Sequence, residues 1–102
     1  MKKRVYLVDI DGTICDDIKN EESHLYSEAK VYDGALDELN KLYDEGNTIV
    51  YWTARGSRTQ INWYDLTKQQ LIDWGAKHHE LNVTKPYYDL FIDDKTLRIE
   101  EI

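Results

Sequence analysis

The chain alternates short continuous apolar runs with longer stretches of helical period. Residues 4–10 (RVYLVDI) are rich in β-branched and aromatic types and lack turn formers, so they predict a buried strand. Gly12 and Thr13 end it. Residues 14–33 are polar and irregular, with acids at 16, 17, 21, 22 and 28, and read as a flap-like loop. A structureless connection of this size usually carries function. Ala35, Leu36, Leu39, Leu42 and Tyr43 then recur at helical spacing, with Asp33 as N-cap and Gly46 just past the end.

A second strand is predicted over residues 48–53 (TIVYWT), followed by a turn at Arg55-Gly56-Ser57. A second helix runs from about Thr59 to Trp74, with Ile61, Tyr64, Leu71, Ile72 and Trp74 on its apolar side and Gly75 as the stop. Residues 80–83 form a short third strand and residues 88–92 (YDLFI) a fourth. Strands alternating with helices imply an α/β fold, with a small parallel sheet of about four strands and helices on its faces. In such sheets ligands bind beyond the carboxyl ends of the strands. There the pattern places Asp9 and Asp11 after strand one, Thr53 after strand two, Lys85 before strand four, and Asp93 and Asp94 after it.

Composition narrows the function classes. The 102 residues read as one domain, with 41% hydrophobic content and no apolar run near the roughly 18 residues that span a membrane. Met1 to Arg4 is basic, but the apolar stretch after it is too short for a signal peptide, so a cytoplasmic protein is expected. The net charge of −7 disfavours phosphate backbones as partners. Cys15 is the single cysteine, so no internal disulfide forms. No basic or histidine neighbour in sequence activates its thiol.

Four acids converging at one sheet edge repel one another unless a cation joins them. All-oxygen ligands favour a hard ion, and Mg²⁺ is the candidate. An Mg²⁺ site of this kind uses one or two carboxylates, so others are left for chemistry. An Asp carboxylate can be phosphorylated as a nucleophile, and a second can protonate a leaving alkoxide. Thr53 and the backbone after strand two suit phosphoryl oxygens, and Lys85 suits charge that grows in the transition state.

Asp9-Ile10-Asp11-Gly12-Thr13, Thr53 after an apolar strand, Lys85, and Asp93-Asp94 after "LFI" resemble the four motifs of the haloacid dehalogenase superfamily, in order and across residues 5–94. The resemblance implies a Rossmann-like three-layer α/β/α core. It implies Asp9 as nucleophile and metal ligand, and Asp11 as general acid/base that also lends its backbone carbonyl to Mg²⁺. It implies phosphate binding by Gly12, Thr53, Ala54 and Lys85, direct metal ligation by Asp94, and support from Asp93. An Asp at position 11 implies phosphatase or phosphotransferase chemistry.

The short gaps at residues 14–33 and 54–83 leave no room for a cap domain, and the chain ends eight residues after Asp94, without the family's fifth strand. The uncovered edge suggests a homo-oligomer. "YWTARGSRT" and "KPYYDLFIDDK" further resemble small phosphatases encoded with bacterial capsule and surface-polysaccharide genes, which implies a sugar phosphate or similar small ester as substrate. A more distant resemblance, to polynucleotide 3′-phosphatases, implies polynucleotide ends as a second substrate class. A Mg²⁺-binding regulatory module is the non-enzymatic alternative.

Arg55 and Arg58, on the turn opening helix two, are candidates to grip a second anionic group of the substrate. Trp52, Trp63 and Trp74 are expected in the core or in helix packing, and Tyr87 and Tyr88 in the core or the pocket. His24 and Tyr26 sit on the loop, and His78 and His79 are expected in solvent. Asp16 and Asp17, past the turn, are placed outside the site.

Overall fold

The computed structural model describes residues 3–102. Three parallel strands, β1 (Val5–Val8), β2 (Thr48–Trp52) and β3 (Glu80–Asn82), stand in the order β1-β2-β3. α1 (Ala35–Asp44) connects β1 to β2, and α2 (Tyr64–Asp73) connects β2 to β3. A 3₁₀ segment, Asn20–Glu28, precedes α1, and a single 3₁₀ turn, Ile99–Glu101, follows the last strand. The predicted α/β class and the parallel pairing are both present.

Residues at matching levels of neighbouring strands share a face. Val8 pairs with Tyr51, Tyr6 with Ile49, and Tyr51 with Leu81. Ile49 and Tyr51 are fully buried on this face, where they meet Leu36 and Leu39 of α1 and Leu71 of α2 in one core. Each such aliphatic side chain contributes about 1.5–3 kcal/mol through removal from water. The opposite face of β1 is open: Val5 is 73% and Leu7 58% exposed. β1 is also an edge of the sheet, paired on one side only.

Four predicted features differ from the structure. The loop over residues 14–33 is not a detached flap. Ile14, Cys15, Tyr26 and Ala29 are buried, and the Asp16 and Tyr32 amides bond to the Lys30 and Ile14 carbonyls. Gly34, at φ 79°, takes the N-cap position of α1, which moves Asp33 out of reach, so no side-chain cap forms. α2 starts at Tyr64 rather than near Thr59, because Gln60 adopts φ 63° and the Asn62 side chain accepts the Tyr64 N–H at 2.9 Å. Its buried residues are Thr67 and Leu71, whereas Ile61 and Ile72 are exposed.

The fourth difference is the largest. The sheet has three strands, not about four, and residues 88–92 form none. Parallel strands need a crossover of about a dozen residues or more, and only residues 86–89 separate Lys85 from Leu90. Leu90 and Ile92 are 84% and 94% exposed, and only Ile99 of the following turn lies back against the core.

Candidate active site

Beyond the carboxyl ends of the strands lies a cavity of about 370 Å³, lined in part by Asp9, Asp11, Thr53, Ala54, Arg55 and Lys85. Beside it the chain reverses sharply after β1. The Thr13 and Ile14 amides both donate to the Ile10 carbonyl at 3.0 Å, and the Gly12 amide donates to the Cys15 carbonyl at 2.9 Å. Gly12 has φ 81°, which any L side chain resists, so glycine is required at this reversal. It shapes the turn but does not line the cavity, in contrast to the predicted phosphate contact.

Asp9 projects into the cavity. One carboxylate oxygen lies 3.3 Å from the Lys85 ammonium, and the other accepts the Thr13 hydroxyl at 3.3 Å. Lys85 is positioned by the sheet, since its amide donates to the Thr53 carbonyl and the Thr53 amide donates to Asn82 in turn. The Lys85 side chain is largely buried, with its ammonium 4.8 Å from the Tyr88 ring centroid and 5.6 Å from that of Trp52. Aromatic faces on two sides attract the charge and hold it where it meets Asp9. The Thr53 hydroxyl accepts the Arg55 amide at 3.1 Å, which leaves its own proton free to donate.

Arg55 is the main surprise. Sequence predicts a substrate contact, but its guanidinium is 0% exposed and grips Asp11 through Nε and Nη2, each at 2.9 Å. Nη1 donates to the Thr67 hydroxyl at 3.0 Å and to Gln70 at 2.6 Å, while the Tyr26 ring lies 4.4 Å from the guanidinium carbon. Four N–H bonds are thereby committed within the protein. Arg55 borders the cavity as a support for Asp11 rather than as a free anion receptor.

Burial raises the Asp11 carboxyl above its ordinary value, and it outweighs the opposing pull of Arg55; the nearby Asp9 charge raises it further. Asp11 therefore holds a proton to higher pH than an ordinary carboxyl, the direction that suits a general acid. Burial also pushes the Cys15 thiol up to about 12, with Asp11 adding to the shift, so Cys15 is inert.

The turn after Thr53 fixes this arrangement. Gly56 has φ 85°, and a Cβ there would overlap the Ile61 carbonyl oxygen. Gly56→Ala is expected to cost at least about 2 kcal/mol and to move Arg55 away from Asp11. Chemical denaturation reads the stability loss, and a wild-type midpoint would refute it.

Several wall residues escaped sequence reasoning. Asp17, Lys19, Asn20 and Glu21 line the cavity from the loop, and Asp89 lines it from the far side with Tyr87 and Tyr88. Sequence places Asp17 outside the site, yet the reversal at Gly12 brings it back to the rim, where it pairs with Lys19 at 2.6 Å. The polarity of residues 14–33 was the available signal. Arg58 lies over the Tyr87 ring at 4.6 Å and does not line this cavity. His79 is structural rather than simply solvated, since its Nδ1 accepts the Ile49 amide at 3.1 Å. His78 packs edge-on against Tyr51, and burial lowers its pKa. Trp52, Trp63 and Trp74 are half-buried, Trp63 against Tyr26 and Trp74 against the core.

Asp93 and Asp94 are not brought to the cavity. Both are exposed, and Asp93 accepts only the Lys95 amide, at 3.2 Å. Among the described residues no three His, Cys, Asp or Glu side chains gather to hold a metal. Asp9 faces the cavity, Asp11 is committed to Arg55, and the acidic pair lies elsewhere. Of the acids that the motifs imply for Mg²⁺, only Asp9 and Asp11 reach the cavity in one copy.

No protein-family model matches the sequence, and no curated protein matches it either. Among solved structures, the chain is similar to the crystal structure of a structural-genomics target from Vibrio cholerae, with 24% identity and a TM-score of 0.82, covering 98% of this chain and 86% of that one. That likeness establishes the fold, a small α/β protein with a three-stranded parallel sheet.

Proposed function

We propose that this protein is a capless, cytoplasmic phosphatase of haloacid dehalogenase type, with a Rossmann-like core, that hydrolyses a small phosphate monoester such as a sugar phosphate. One observation carries the reading: the Asp9 carboxylate and the Lys85 ammonium stand 3.3 Å apart in a cavity that also contains Asp11, whose pKa is raised.

In this reading Asp9 attacks phosphorus and the bond to the ester oxygen breaks. Lys85 offsets the negative charge on the phosphoryl oxygens, and the Thr53 hydroxyl donates to one of them. Asp11 delivers its proton to the leaving alkoxide. Its two oxygens carry about four lone-pair sites, so it can hold a proton while Arg55 remains bound. Water then attacks the acyl phosphate, Asp11 takes the water's proton, and inorganic phosphate leaves with Asp9 restored.

Five acids line the cavity (Asp9, Asp11, Asp17, Glu21 and Asp89) against three cations (Lys19, Arg55 and Lys85), and this excess of negative charge opposes a phosphate dianion. Turnover is therefore expected to require a divalent cation, with Mg²⁺ the first choice. The test is a panel of sugar phosphates, p-nitrophenyl phosphate and nucleotides with Mg²⁺, repeated in EDTA. Hydrolysis that EDTA abolishes supports the proposal, and inactivity across the panel sinks it.

A further inference from the structure

Two features of the fold lack partners and match each other. β1 has a free edge, beside which Val5 and Leu7 are exposed. Residues 86–97 make no backbone–backbone hydrogen bond among the described residues, although Leu90, Phe91 and Ile92 are β-prone and exposed. An apolar segment of this kind beside an open edge is a template for pairing.

The same copy cannot supply that pairing in parallel. Val8 pairs with Tyr51, so Thr53, and with it Lys85, stands level with Ile10. Parallel pairing that sets Ile92 beside Val8 sets Tyr88 beside Arg4, six residues back along the strand, or ~20 Å. The three steps from Lys85 to Tyr88 reach at most ~11 Å. An antiparallel return within one copy would carry Asp93 and Asp94 away from the cavity.

We propose that two copies exchange their carboxyl-terminal tails, so that residues 88–92 of each pair in parallel with the free edge of β1 in the other. The contact is isologous and closes as a two-fold dimer. It buries Leu90–Ile92 against β1 and adds the fourth strand that one copy lacks. With Ile92 beside Val8, the next residue, Asp93, arrives beside Asp9 and Asp94 beside Ile10 at the cavity edge. Each cavity then gains from the other copy the acidic pair that does not reach it in one copy. The exchange stands on the strand geometry alone, and only the use of the acids rests on the proposed phosphatase reading.

The experiment needs no enzymatic activity. Levels 7 and 91 adjoin in the proposed pair, and neighbouring strands lie within reach of a disulfide. A chain carrying both Leu7→Cys and Phe91→Cys is oxidised and run on a non-reducing gel, with each single variant as control. A covalent species of twice the 12.1 kDa chain, seen only with the double variant, is the expected result. A disulfide closed within one chain would overturn the proposal. Light scattering of the unmodified protein at micromolar concentration should give a dimer, and Ile92→Asp should convert it to monomer. Ile92 is exposed in one copy, so this change does not threaten the core. A wild-type monomer, or a dimer indifferent to Ile92→Asp, would also refute the exchange.

Discussion

Asp9→Asn is expected to lower kcat on p-nitrophenyl phosphate by at least about 10³-fold while the fold survives. The amide occupies nearly the same volume, so the Thr13 hydroxyl retains an acceptor and the cavity keeps its shape. What disappears is the anionic oxygen that attacks phosphorus, and no neighbour replaces it. Asp11 is turned into the Arg55 grip, and Asp17 is held at the rim by Lys19. Asp9 is half-exposed, and the new amide oxygen can still accept from the largely buried Lys85 ammonium, so the fold should survive with a moderate loss of stability. Circular dichroism and thermal melting confirm the fold, and steady-state assays read the rate. Turnover within tenfold of wild type would exclude Asp9 as the nucleophile.

Arg55→Met should be the most damaging single change to stability outside the aliphatic core, at about 3 kcal/mol, or a fall in Tm on the order of 15 °C. The guanidinium is fully buried and Asp11 is 13% exposed, so removing one partner strands a carboxylate with little access to water. Thr67 and Gln70 lose their shared donor in the same step. The diagnostic comparison is the double variant Arg55→Met with Asp11→Leu, which removes both charges and should regain part of the loss. Arg55→Lys should not rescue, because a point charge cannot reproduce the forked grip on Asp11 while reaching α2. Additive losses in the double variant would show that the pair is not coupled.

Sequence reading recovered the elements whose signals are local. The run ending at Asp9, the helical spacing of Leu36, Leu39 and Leu42, and the run from Thr48 to Trp52 carry their own period. The cavity followed from topology, because parallel strands bring their carboxyl ends to one edge whatever the side chains are. The role of Arg55 was not legible. Its position beside Thr53 suited an anion, and only the packing of α2 and the loop shows that Asp11 takes the charge first. Asp17 was missed because its return to the cavity rim depends on the tightness of the Gly12 reversal.

The fourth strand failed for a different reason. The segment YDLFI has strand composition, but composition contains no statement about how far a chain must travel to reach its partner. Only residues 86–89 separate Lys85 from Leu90, too few for a parallel crossover. The predicted start of α2 near Thr59 fails because Gln60, at φ 63°, breaks the backbone before Ile61 can join the helical period.

The Arg55 cluster also bears on the order in which the chain folds. Its bonds join position 55 to positions 11, 67 and 70, and Gln70 donates to the Tyr26 carbonyl in turn. Arg55 finds its full set of partners only when the β1–β2 connection has closed and α2 has docked, and each closure carries a loop-entropy cost. A nascent chain that has emerged only through the turn after β2 offers Asp11 the Arg55 guanidinium without the floor of α2 beneath it. The Gln70 bond to the Tyr26 carbonyl likewise forms only when α2 arrives. Desolvation of Asp11 is therefore a late folding event, so the rate at which its carboxyl loses contact with water would time the closing of the second half of the protein on the first.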